Sequence, residues 1–158
     1  MRTNTKLLAV GLLVFCSFVS PFVSAVFAEN VDAELNKFQG TWTLVSGERE
    51  GKKIADEHVS KNKIIYQGNQ GQLTSPHQSN ETIVFDIIKI DPMKSPKEFN
   101  LIRKTGPSAG KTITAIYEFD GNDQFKFAFD PAGVTTPKEF ATKEGSGHIL
   151  HTWKRVKP

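Results

Sequence analysis

KTITAIYEFDGNDQFKFAF, Lys111 to Phe129, is the stretch whose reading decides the fold. Ile113, Ala115, Tyr117 and Phe119 alternate with Thr112, Thr114 and Glu118, and after a break Phe125, Phe127 and Phe129 alternate with Lys126 and Ala128. A period of two in β-branched and aromatic residues marks strands with one face in a core. Asp120-Gly121 supplies the positive φ that a tight connection needs, and Asn122-Asp123 completes a polar turn. The stretch therefore predicts a β-hairpin.

Working upstream, Lys97–Arg103 follows Pro96 and puts Phe99 and Leu101 on one side. Glu81–Asp91 is the longest strand pattern: Ile83, Phe85 and Ile87 share one face, Val84, Ile88 and Ile90 the other, and Asp91-Pro92 ends it. Lys63–Gln67 and Gly71–Ser75 form a second hairpin pattern, and in Thr41–Ser46 Trp42 and Leu44 face one way. Downstream, His148–Val156 sets Ile149, His151, Trp153 and Arg155 opposite His148, Leu150, Thr152 and Lys154. Val31–Phe38 has helical spacing, with Val31, Leu35 and Phe38 on one side and Gly40 as its stop; Gly47–Ser60 reads as a loop with a helical turn at Asp56–Ser60. The pattern predicts an all-β domain, a single antiparallel eight-stranded barrel with a short N-terminal helix. Eight strands close around an interior that side chains fill or that holds one small ligand.

The N-terminus carries its own message. Arg2 and Lys6 precede the uncharged run Leu7–Val23, and Val26-Phe27-Ala28 offers small residues for cleavage before Glu29. Residues 1–28 are thus expected to be a signal peptide and 29–158 the exported domain, secreted or periplasmic, with no stable membrane span after cleavage. Lipidation at Cys16, the only cysteine, is disfavoured by bulky Phe15 before it. Losing Arg2 and Lys6 brings the net charge from +3 to +1, and Lys and Glu alternate in Lys97-Glu98 and Lys138-Glu139, so no nucleic-acid partner is expected. Without a disulfide, stability rests on packing.

Taken together, Phe38-Gln39-Gly40-Thr41-Trp42, the Asp91-Pro92 to Lys97 link, Gly106-Pro107 to Gly110-Lys111-Thr112, Ile116 to Gly121 and Gly145-Ser146-Gly147 resemble the lipocalin-like domain abundant in planctomycete bacteria, over about Phe38 to Val156. The resemblance implies a small calycin-type barrel and carries no catalytic residues. It also implies that Trp42 packs against Arg155 to close the barrel floor.

Motifs for chemistry are sparse. Thr105 to Thr112 ends in Gly-Lys-Thr, but it lacks the first glycine of a phosphate loop and a strand follows it, so it reads as a turn. His148 and His151 project from opposite faces of one strand, and His58 and His77 sit in loops, so the histidines read as solvated and no metal is expected. No cysteine follows residue 28 and there is no Gly-x-Ser-x-Gly elbow, so no catalytic residue or cofactor is expected, and the chain is not expected to be an enzyme. Asn80-Glu81-Thr82 fits a glycosylation acceptor. The positive expectation is a cavity for a small hydrophobic or amphipathic ligand, lined by Tyr66, Phe85, Phe99, Arg103, Tyr117 and Phe127, with Tyr66, Tyr117 or Arg103 orienting its polar end. The alternative is that the same rings fill the interior and the barrel meets an envelope protein, through Ser46–Ser60 or Asp130–Gly147.

Overall fold

The computed structural model describes residues 21–76 and 82–157; His77 and the sequon residues Asn80 and Glu81 lie outside the described residues. In chain order the elements are α1 (Pro21–Phe38), β1 (Gly40–Arg49), β2 (Lys52–Lys53), α2 (Asp56–Val59), β3 (Lys63–Gln67), β4 (Gln70–Thr74), β5 (Thr82–Asp91), β6 (Lys97–Arg103), β7 (Thr112–Asp120), β8 (Gln124–Phe129) and β9 (Ile149–Arg155). From β3 to β9 each strand pairs antiparallel with the next, and β1 pairs with both β3 and β9, which closes an eight-stranded barrel. The two residues of β2 form a clip on the far end of β1. The deciding hairpin stands as read: Tyr117 faces Phe127 and Phe119 faces Phe125 across β7 and β8. Ile113, Ala115, Tyr117, Phe125, Phe127 and Phe129 all turn into the core.

Three departures from simple alternation shape the rest. A bulge in β1 between Leu44 and Ser46 leaves Val45 exposed, and the strand runs on to Arg49, so Gly47–Arg49, expected in a loop, is strand. A second bulge, in β5 between Ile87 and Lys89, leaves Ile88 55% exposed and rotates Ile90 into the core, where alternation alone had put it on the opposite face. The third is a coat. On the outer face of β7 and β8, Ile116 and Ala128 are fully covered, and Pro137 of the 131–147 segment, itself buried, borders the same groove as Ile116.

That segment is held at both ends. The buried Asp130 carboxylate accepts the N–H groups of Ala132 (2.8 Å), Val134 (3.1 Å) and Thr135 (2.9 Å) and the Thr135 hydroxyl (3.1 Å). At the other end the Thr142 hydroxyl donates to Glu48 at 2.5 Å and accepts from the Gly51 N–H at 2.9 Å, while Glu50 accepts the N–H groups of Gly145 and Gly147. Charge-assisted bonds of this kind give a coil without regular structure a fixed path.

One end of the barrel is closed. Phe38, the last residue of α1, is fully buried and meets the rings of Tyr66, Phe99, Tyr117, Phe119 and Phe125 at centroid distances of 4.8–5.7 Å. Trp42 lies beside it and donates from Nε1 to the Phe38 carbonyl at 2.6 Å. The Arg155 guanidinium stacks 4.1 Å from the Trp42 ring, as expected for the floor. It also donates to the carbonyls of Lys37 (2.7 Å), Gln39 (2.5 Å) and Asn122 (2.9 Å), tying the helix end to the last strand. Only a planar fork can stack and bond three carbonyls at once. Arg155→Lys is therefore expected to lose about 1–2 kcal/mol of stability despite keeping the charge, read as a lower midpoint in urea unfolding.

The helix begins earlier than the expected Val31, so the position after Ala28, where cleavage is expected, falls within it. Val31, Leu35 and Phe38 of α1, which follow that point, pack on the barrel. Among the described residues no helix is long and apolar enough to cross a membrane.

Candidate functional site

Between the rings around Phe38 and the opposite end of the barrel a cavity of about 40 Å³ remains. Its walls come from seven strands: Tyr66 and Ile64 of β3, Leu73 of β4, Phe85 of β5, Phe99 and Arg103 of β6, Ile113 of β7, Phe127 and Phe129 of β8, and His151 and Trp153 of β9. Five of the six residues expected to line an interior site are brought together here: Tyr66, Phe85, Phe99, Arg103 and Phe127. Period-two alternation explains the convergence, since every one occupies an inward position of its strand.

Tyr117 belongs elsewhere. Its hydroxyl donates to Glu34 of α1 at 3.2 Å, at the closed end, where Lys37 and Lys97 each reach the same carboxylate at 2.7 Å. Burial pushes the Glu34 carboxyl up, but the two ammonium groups outweigh it and hold it below the usual range. Burial together with the Glu34 charge pushes the Tyr117 hydroxyl well up, so it stays protonated as the donor. Tyr117 therefore fixes the helix to the barrel and is not a wall of the cavity.

His151 departs from the solvated reading. It lies on the inner face with Trp153, its ring edge-on to Phe127, Phe129 and Trp153 at 5.6–5.8 Å, and burial pushes its pKa down to about 4. His148 takes the outer face and meets the Thr135 hydroxyl at 2.9 Å. The alternation of β9 had already grouped His151 with Ile149 and Trp153; the missing signal was that this end of the barrel is roofed. Ile54 packs against Gly47 and His151 there, and Val59 of α2 is buried in the core.

Neutral His151 makes the barrel acid-sensitive. Its folded value lies below the ordinary 6.5, so its contribution is complete above pH 6.5 and is lost as pH falls towards about 4. The cost is at most about 3 kcal/mol, reduced because water reaches the half-buried ring. Glu34, also lowered, adds a second loss as pH falls below 4.5. Urea midpoints measured against pH should decline in both ranges, and His151→Gln should flatten only the upper one.

Among the described residues Trp153, Arg103, Tyr66 and His151 of the cavity wall make no side-chain hydrogen bond. The Trp153 Nε1–H is buried with no acceptor. Arg103 pairs across β5–β6 with Phe85 and so faces inward, yet among the described residues its guanidinium has no ion pair or side-chain hydrogen bond; burial lowers its pKa. The Tyr66 hydroxyl likewise makes no hydrogen bond among the described residues, and burial pushes its pKa well up. Close contact of backbone and ring completes the wall: a Cβ at Gly71 would lie 2.2 Å from the Phe85 ring, so only glycine lets that ring lie against β4.

The Gly-Lys-Thr stretch is a connection: Gly110 N–H donates to the Arg103 carbonyl at 2.7 Å, and Gly106 and Gly110 have φ of 83° and 81°. Two larger grooves, of about 550 and 750 Å³, run along the outside and share Lys94, Ser95, Pro96 and Lys138, but they are open, mixed-polarity troughs. No protein-family model, curated protein or solved structure matches this chain.

Proposed function

We propose that this chain is an exported, non-enzymatic, lipocalin-like barrel that binds a small hydrophobic or amphipathic molecule inside. The observation that carries the reading is the enclosed space into which six aromatic rings converge with Arg103, which has no ion pair among the described residues, in a barrel whose other end is plugged by Phe38. Its size bounds the ligand. About 40 Å³ is far below the ~300 Å³ of ordinary small-molecule sites. What enters is a molecule of a few heavy atoms, or the buried end of a longer one whose remainder passes the half-buried Leu73 at the wall. The proposal includes kinship with the lipocalin-like domains of planctomycetes and export by the leader. N-terminal sequencing of the exported product should then begin at Glu29.

Isothermal titration of the purified protein with short-chain alcohols, ketones, small aromatics and carboxylates tests the binding. Saturable one-to-one binding by at least one class, lost in Leu73→Phe while the circular dichroism spectrum is kept, is the expected result. Binding by none would favour the second reading, to which the small cavity lends weight: a filled barrel that contacts an envelope protein.

A further inference from the structure

We infer that the cavity is built for a carboxylate, so that its ligand is a small apolar acid or the head of a longer one. The inference rests on the interior-binding reading above and narrows it to one chemical class.

The argument is a count of donors and acceptors. Among the described residues Arg103, Trp153 and Tyr66 of the cavity wall make no side-chain hydrogen bond, and of these the Trp153 Nε1–H is fully buried. Arg and Trp can only donate, and a tyrosine hydroxyl can. His151, whose neutral ring offers one donor and one uncharged acceptor, is the remaining polar wall group, and among the described residues no Asp or Glu lines the space. An apolar chamber with one guanidinium, one indole N–H and one phenol, and with no anion of its own, lacks an acceptor bearing negative charge. Leaving the buried Trp153 N–H unmet in a folded protein is costly, and the half-buried Arg103 holds its charge on the same wall with no anion beside it. Arg103 in particular would be expected to pair; Lys104 next to it does so, reaching Asp86 on the outer face at 3.0 Å.

Size agrees with charge. At roughly 10–15 Å³ per water, about 40 Å³ holds some three heavy atoms, the number in a carboxylate group. A planar guanidinium grips such a group through two parallel bonds, and the other donors complete its lone pairs. The alkyl or aryl remainder would leave the space past the half-buried Leu73.

The two tryptophans give a direct readout. Trp42 Nε1–H already donates to the Phe38 carbonyl, whereas Trp153 Nε1–H has no acceptor. In a ¹H–¹⁵N spectrum of the full chain, assigned with Trp153→Phe, titration with hexanoate should move the Trp153 indole peak downfield and leave the Trp42 peak in place. Hexanol, the same chain without the charge, should bind at least about tenfold more weakly. Arg103→Met should abolish that preference, keep hexanol binding and leave the thermal midpoint unchanged or higher, because it removes an unpaired, half-buried charge. Acetate, hexanoate and decanoate run in parallel separate a small free acid from a longer amphipath. Equal affinity for hexanoate and hexanol, untouched by Arg103→Met, would overturn the carboxylate assignment and leave the interior-binding reading intact. Binding by neither would overturn both, and so would a Trp153 indole peak that no compound moves. A thermal midpoint that falls sharply in Arg103→Met would show Arg103 to be structural and overturn the assignment.

Discussion

Trp42→Ala is expected to lower the stability of the barrel by about 4 kcal/mol, the upper range for removing a buried aromatic side chain. The ring is fully buried, stands edge-on to Phe125 at 4.7 Å and carries the Arg155 guanidinium on its other side. Its indole N–H also satisfies the Phe38 carbonyl at the C-terminus of α1. Removing it therefore opens a cavity at the floor, strands a buried carbonyl and leaves Arg155 without its stacking partner. Since a domain of this size holds only about 5–15 kcal/mol in all, urea unfolding followed by circular dichroism should show the midpoint falling by a third or more of its range. Trp42→Phe keeps most of the apolar volume but loses the hydrogen bond, and should cost about 1–2 kcal/mol. A loss below about 1 kcal/mol in the alanine variant would mean that the floor does not hold the barrel together.

Gly71→Val is expected to cost about 3 kcal/mol, the upper range for overpacking a core. The position is buried in β4, opposite Phe85 of β5, and an added Cβ would meet three atoms of that ring at 2.2, 2.4 and 2.9 Å. A ring displaced towards the cavity it lines would also shrink that space. Phe85→Leu in the Gly71→Val background shortens the clashing side chain and should recover part of the stability. That recovery, read as non-additivity in a double-mutant cycle, is the signature of direct contact. Additive losses would show that Gly71 is needed for a reason other than the ring against it.

The strands were legible because period-two patterning survives in single sequences. In Lys111–Phe129 every residue expected inside is inside or partly so, and Lys97–Arg103 matches β6 at both ends. The bulges were not legible. Nothing about Val45 or Ile88 distinguishes a residue that leaves the ladder from one that stays, and the consequence, Ile90 in the core, is fixed only by pairing with β6. The coat over Ile116 and Ala128 was missed for a related reason: the 131–147 segment has no periodicity to read, and its path is set by Asp130, Glu48 and Glu50 acting over long separations in sequence. The four-residue phrase Pro-Lys-Glu-Phe shows the same limit, opening β6 at Pro96 but running as coil at Pro137.

For the site, alternation was enough to collect Tyr66, Phe85, Phe99, Arg103 and Phe127, because inward positions of neighbouring strands must converge. It could not rank them along the barrel axis. Tyr117 is as inward as the others but lies towards the plugged end, within reach of Glu34, a partner set by the docking of α1. His151 and Trp153 were placed on the right face, yet that one is depressed in pKa and the other lacks an acceptor follows from three-dimensional enclosure alone.

The central claim, an apolar chamber open to small molecules, is tested most directly without choosing a ligand. Crystals of the protein pressurised with xenon should show one ordered atom in the space bounded by Phe85, Phe99, Phe127 and Trp153, since small apolar cavities take up this gas. Xenon confined to surface sites or lattice gaps, with that space filled by side chains, would contradict it.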